Sequence, residues 1–65
     1  MTYQEQNELF TKGLKAQGVT EIRGWKLLAL IKTAFGVTEQ TAQKRMKEMK
    51  ESGLIQWDGL TFSIL

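Results

Sequence analysis

Neither cysteine nor histidine occurs anywhere in the 65 residues, so whatever this chain folds into is held by packing alone. Disulfides, thiolate metal sites and imidazole ligands are all excluded as staples. A chain this short buries a modest share of its surface and sits near the lower limit for unaided folding. It therefore reads as one domain spanning residues 1–65, with one core and a partner subunit as the natural source of further burial.

The same absence bears on chemistry. Without His or Cys, the available nucleophiles and bases are Ser, Thr, Lys and carboxylates, and no pair of them stands at a spacing suited to acid–base or nucleophilic work. The expectation is a binding protein and not an enzyme, with no cofactor, no metal and no small-molecule substrate. Glu48 and Glu51 share a helical face, but two exposed carboxylates are ordinarily just solvated. The longest apolar stretch, Leu27-Leu28-Ala29-Leu30-Ile31, falls far short of the roughly 20 residues that a membrane helix needs. Met1-Thr2-Tyr3-Gln4-Glu5 lacks the basic and apolar blocks of a signal peptide, which leads us to expect an intracellular, cytoplasmic protein. A formal charge of +2 permits a nucleic-acid partner without requiring one.

Periodicity supplies the architecture. Tyr3, Phe10 and Leu14 fall near one helical stripe with Leu9 beside it, and Thr2 with Glu5 has the spacing of a capping box; Gly18 is the expected stop. Val19-Thr20-Glu21-Ile22 is β-branched and alternating, which suits either a brief strand or an extended linker. From Trp25 to Phe35 apolar residues cover more than half of a helical wheel, predicting the most buried helix. Gly36 ends it and Thr38 caps a third helix running to about Ser52, whose stripe of Ala42, Met46 and Met49 opposes a polar face. Gly53 stops that helix. Leu54-Ile55-Gln56-Trp57 and Leu60-Thr61-Phe62-Ser63-Ile64-Leu65 then flank Asp58-Gly59, the signal for a type I′ hairpin. Ile55, Trp57, Leu60, Phe62 and Ile64 are expected to roof the helices; Trp57 could stack on a base, but an aromatic at an alternating strand position is more often core or dimer contact, and Trp25 invites the same reading.

The expected fold is mainly α with a small β-hairpin. Gly36-Val37-Thr38 at the turn, Thr41-Ala42-Gln43-Lys44-Arg45-Met46 on the next helix, Met49 one turn on and Gly53-Leu54-Ile55 beyond it resemble the winged helix-turn-helix family over about the second half of the chain. The resemblance implies three helices plus a C-terminal two-stranded wing, with the third helix as a recognition helix. Lys32, four residues before Gly36, departs from a pattern that often has a small residue there.

A helix fits the major groove of double-stranded DNA, where amides and cations read base edges. Gln40, Thr41, Gln43 and Lys44 are the expected base readers. Thr38, Arg45, Lys47, Lys26 and Lys32 are the expected phosphate contacts. Asp58 makes the wing a poor guest for a minor groove. The function so implied is that of a small transcriptional regulator, a repressor acting by promoter occlusion and residing with the nucleoid when bound. A homodimer is expected because one helix reads few base pairs, with contacts through Tyr3, Phe10 or Leu14, or through a free edge of the strand ending Phe62-Ser63-Ile64-Leu65. The rival reading is a winged-helix protein–protein module within a larger nucleic-acid-processing complex, because Glu39, Glu48 and Glu51 offset the cations of the third helix.

Overall fold

The computed structural model describes residues 1–65 as α1 (Tyr3–Ala16), β1 (Glu21–Arg23), α2 (Gly24–Phe35), α3 (Glu39–Glu51), β2 (Ile55–Trp57) and β3 (Thr61–Ile64). Local chemistry accounts for most of these boundaries. Thr2 Oγ1 accepts from the Glu5 amide at 3.1 Å while the Glu5 carboxylate accepts from the Thr2 amide at 3.3 Å, so the capping box opens α1 as its spacing predicts. At the other end the Val19 amide folds back to the Leu14 carbonyl at 3.0 Å across Gly18, which closes the helix. Gly36 takes φ 62°, and the Val37 amide returns to the Lys32 carbonyl at 3.2 Å. Thr38 Oγ1 then accepts from the Thr41 amide at 3.4 Å to start α3, so very few residues separate the two helices. Lys32 is exposed, and its length does not obstruct the approach of α3.

Residues 21–23 resolve the strand-or-linker ambiguity in favour of a strand. β1 pairs antiparallel with β3, Ile22 facing Phe62, and β2 pairs with β3 on its other side, giving a three-stranded sheet ordered β1-β3-β2. Two expectations change. The sheet has a third strand beyond the hairpin, and β3, being central, has no free edge through which a mate could pair. The reason is the alternation of this segment: Ile22 is buried while Glu21 and Arg23 point to solvent.

The hairpin also turns one residue later than its Asp-Gly signal suggests. Trp57 lies opposite Phe62, leaving Gly59-Leu60 at the centre of the turn. Gly59 has φ 99° and no non-glycine residue has positive φ, which excludes a type I′ turn centred on Asp58-Gly59. Asp58 instead uses its carboxylate to accept from the Leu60 and Thr61 amides at 3.0 and 2.8 Å and from Thr61 Oγ1 at 3.1 Å.

Every element contributes to one core, formed by Leu14, Ile22, Leu27, Ile31, Ala42, Met49, Ile55, Phe62 and Ile64. Leu27, Ile31, Ala42 and Met49 are wholly buried, and each large apolar side chain so buried is worth about 1.5–3 kcal/mol. Several predicted core members lie outside it. Tyr3 is 68% exposed, Leu9 54%, Trp25 71%, Trp57 42% and Leu60 61%. On α1 the inward stripe is Asn7, Phe10, Thr11 and Leu14, in part polar, which hydropathy alone could not place. No helix is long and apolar enough to cross a membrane.

Two glycine substitutions separate these local effects. A Cβ at Gly13, inside α1, meets nothing within 4 Å, so Gly13→Ala raises stability by about 0.5–1 kcal/mol. Gly36→Ala, forced into a left-handed conformation, lowers it by about 1–2 kcal/mol. Urea unfolding of the two variants gives midpoints that move in opposite directions.

Candidate nucleic-acid interface

α3 presents Gln40, Thr41, Gln43, Lys44, Lys47 and Lys50 to solvent, while Ala42 and Met49 pack inward and Met46 is half-buried. Three anchors hold this presentation: the Gly36 turn, the Thr38 cap and the burial of Ala42 and Met49 against α2. The expected base readers are all exposed, but they do not share one cleft. Gln43 faces the hairpin side, in a groove of about 350 Å³ with Trp25, Leu28, Met46, Lys50 and Trp57. Thr41 and Lys44 face the α1 side, beside Tyr3, Val37 and Glu48. Gln40 is exposed on the first turn between them.

The expected phosphate contacts fare differently. Thr38 Oγ1 is occupied with its cap and with the Thr41 hydroxyl at 3.3 Å. Lys47 is free to reach outward, its ammonium being 4.0 Å from Glu51 with both side chains well exposed, an ion pair of little worth. Lys32 stands exposed on the last turn of α2 beside the turn into α3. Lys26 lines a separate cleft with Gln17, Glu21, Arg23 and Leu30, and no groove brings it beside Gln43 or Lys44.

Arg45 is turned inward, which removes it from the phosphate set. It is only 6% exposed, its Nη1 donates to Asn7 Oδ1 at 3.2 Å, and its Nη2 donates to Gln6 Oε1 at 2.6 Å. The guanidinium carbon lies 4.5 Å from the Tyr3 ring centroid and 4.0 Å from that of Phe35. A guanidinium between aromatic faces is held by cation–π attraction and by dispersion, and its planar donors match two side-chain amides. Neutral acceptors suffice here because no buried side-chain polar atom is left without a partner.

With Arg45 withdrawn, the outer charges of α3 are Lys44, Lys47 and Lys50 against Glu39, Glu48 and Glu51. They are not evenly mixed. Glu48 and Glu51 line a polar cleft with Gln4 and Asn7 on the α1 side, whereas Lys50 is the one charged residue lining the hairpin-side groove. Lys50 is not among the expected contacts, and Trp25 and Trp57, for which the sequence favours core or dimer contact over base stacking, both stand at the surface. Gln43, Met46 and Lys50 do share a helical stripe, a signal that was available, but nothing in periodicity says that a tryptophan lies beside it.

At the hairpin tip, the Thr61 and Leu60 amides hold the Asp58 carboxyl below its ordinary pKa of 3.8. Asp58 therefore serves its own turn, and the tip carries a fixed negative charge. No protein-family model matches this chain, and neither do any curated proteins or solved structures.

Arg45→Ala costs about 2–3 kcal/mol in urea unfolding, with Arg45→Lys recovering little, and coupling to Asn7→Ala in a double-mutant cycle. An Arg45→Ala protein of full stability but weakened affinity for DNA would instead return Arg45 to the phosphate backbone. Because a lowered carboxyl pKa contributes stability above the unfolded value and loses it as pH falls through the folded one, the advantage of wild type over Asp58→Asn is full at pH 6. It shrinks as pH falls below about 3.8, and a gap that stayed constant between pH 6 and pH 2 would refute this role for Asp58.

Proposed function

We propose that this protein is a winged helix-turn-helix domain that binds double-stranded DNA by laying α3 in the major groove. The observation that carries the reading is the tight Gly36–Thr38 turn, which delivers α3 with Gln40, Thr41, Gln43 and Lys44 all exposed on a helix whose opposite side is locked into the core. Glutamine amides pair with adenine in two hydrogen bonds, and an ammonium reaches guanine acceptors. Lys47 and Lys32 supply phosphate contacts, and Lys26 serves only a duplex that wraps past α2. The hairpin, with Asp58 at its tip, buttresses α3 and does not enter a minor groove.

A single helix of this length reads few base pairs, so the protein works as a homodimer on a two-part site. Exposed Leu9, lying in a cleft with Leu30 and Ala34 between α1 and α2, offers apolar surface for that contact. In this reading the mechanism is promoter occlusion by a small cytoplasmic, nucleoid-associated repressor. A second reading, a protein–protein module of a larger nucleic-acid-processing complex, draws support from the balance of Lys44, Lys47 and Lys50 against Glu39, Glu48 and Glu51.

Fluorescence anisotropy with labelled random duplex DNA tests the choice. Binding that weakens steeply from low to moderate salt is expected, and a Gln43→Ala/Lys44→Ala variant binds less tightly with a log–log salt slope shallower by about one. Folded wild-type protein that fails to bind at low salt would transfer the assignment to a protein partner.

A further inference from the structure

Both tryptophans, the largest apolar side chains available to a chain with little core to spare, stand at the surface and in the same place. Trp25 is 71% exposed and Trp57 42% exposed. Trp57 leans on Phe62 with ring centroids 4.7 Å apart, and Gly24 lies against the same two rings, where a Cβ would make ordinary contact at 3.7 and 3.6 Å. Gln43 and Lys50 of α3 complete the walls, and no acidic residue lines the groove.

Flat aromatic walls, one amide and one ammonium match the three parts of a nucleotide: ring face, base edge and phosphate. A duplex offers an indole only sugars and base edges, because its ring faces are stacked on one another. We infer that the Trp25–Trp57 groove receives one unpaired nucleotide from a strand whose duplex portion lies along α3. The inference rests on the nucleic-acid reading of α3 and adds to it a preference for DNA with a single-stranded or unstacked segment beside the site. A second copy of the chain is the poorer occupant, because a two-fold face-to-face contact would bring Lys50 against its mate with no carboxylate in the groove to relieve it.

The test compares one labelled blunt duplex with the same duplex extended by a short single-stranded overhang, using anisotropy and intrinsic tryptophan emission. Wild type is expected to bind the overhang form about tenfold more tightly, with emission quenched as a base stacks on an indole. Trp25→Ala, at a side chain so exposed that circular dichroism should be unaltered, abolishes the difference while leaving blunt-duplex affinity and its salt slope unchanged; Trp25→Phe restores part of it. Equal affinity of wild type for the two forms, or a preference that survives Trp25→Ala, overturns the groove's role while leaving duplex binding intact. Failure to bind either form overturns both readings. A wild-type dimer that Trp25→Ala converts to monomer in sedimentation equilibrium without DNA would assign the groove to a second copy and overturn the inference as well.

Discussion

The guanidinium of Arg45, between the rings of Tyr3 and Phe35 and bonded to Gln6 and Asn7, holds α1 against the α2–α3 pair. α1 needs such a tie. Its inward stripe offers Phe10 and Leu14 to the apolar core but also Asn7 and Thr11, and a helix with so little apolar surface to bury gains little from area alone. Thr11 satisfies itself by donating to the Asn7 and Glu8 carbonyls, so its hydroxyl fills space without demanding a partner from another helix. Asn7 cannot do the same with its side chain, and Arg45 answers it across the interface. The arrangement makes α1 docking specific: an apolar stripe tolerates sliding, whereas a planar donor set meeting two fixed oxygens between two rings does not.

This tie also shapes the outer surface of α3. A cation that the sequence places among the polar residues of that helix is consumed by the fold; of the lysines left, Lys44 lies beside Glu48 and Lys47 beside Glu51, and Lys50 alone stands on a side without carboxylates. Glu48 and Glu51 look toward α1, while Lys50 looks toward the hairpin. The net charge of the helix is therefore a poor guide to the field at either side of it, because exposed charges act mainly within a Debye length of about 10 Å. The hairpin side combines Lys50 with two indoles, and the first turn carries the Thr38 cap and its outward-facing amides.

Much of the architecture is written in short-range chemistry. The Thr2–Glu5 box, the Gly36–Thr38 turn and the Gly53 stop act over a few residues, and the structure has helices and breaks where they stand. The failures share a cause. Ile22 lies in a segment too short for periodicity to decide between strand and linker, and only Phe62, forty residues on, makes it a strand. The hairpin signal named the right loop, but the Asp58 carboxylate moved the turn by one residue. For α2, a wheel apolar over more than half its circumference could not say which side remained exposed; Leu27 and Ile31 are buried, whereas Trp25 is not.

The candidate site divides along the same line. Which side chains α3 offers to solvent, Gln40, Gln43, Lys44 and Lys47, was determined by the sequence itself, since helical spacing and the Ala42–Met49 stripe orient the helix. That Arg45 is withdrawn, that β3 is a central strand without a free edge, and that two tryptophans stand beside Gln43 were decided only by the tertiary structure. Each of these depends on groups distant in the chain meeting in space: Asn7 with Arg45, Ile22 with Phe62, Gly24 with Trp57. A pattern confined to one helix or one strand carries no information about such meetings, because they are set by how the elements pack and not by what any one of them prefers.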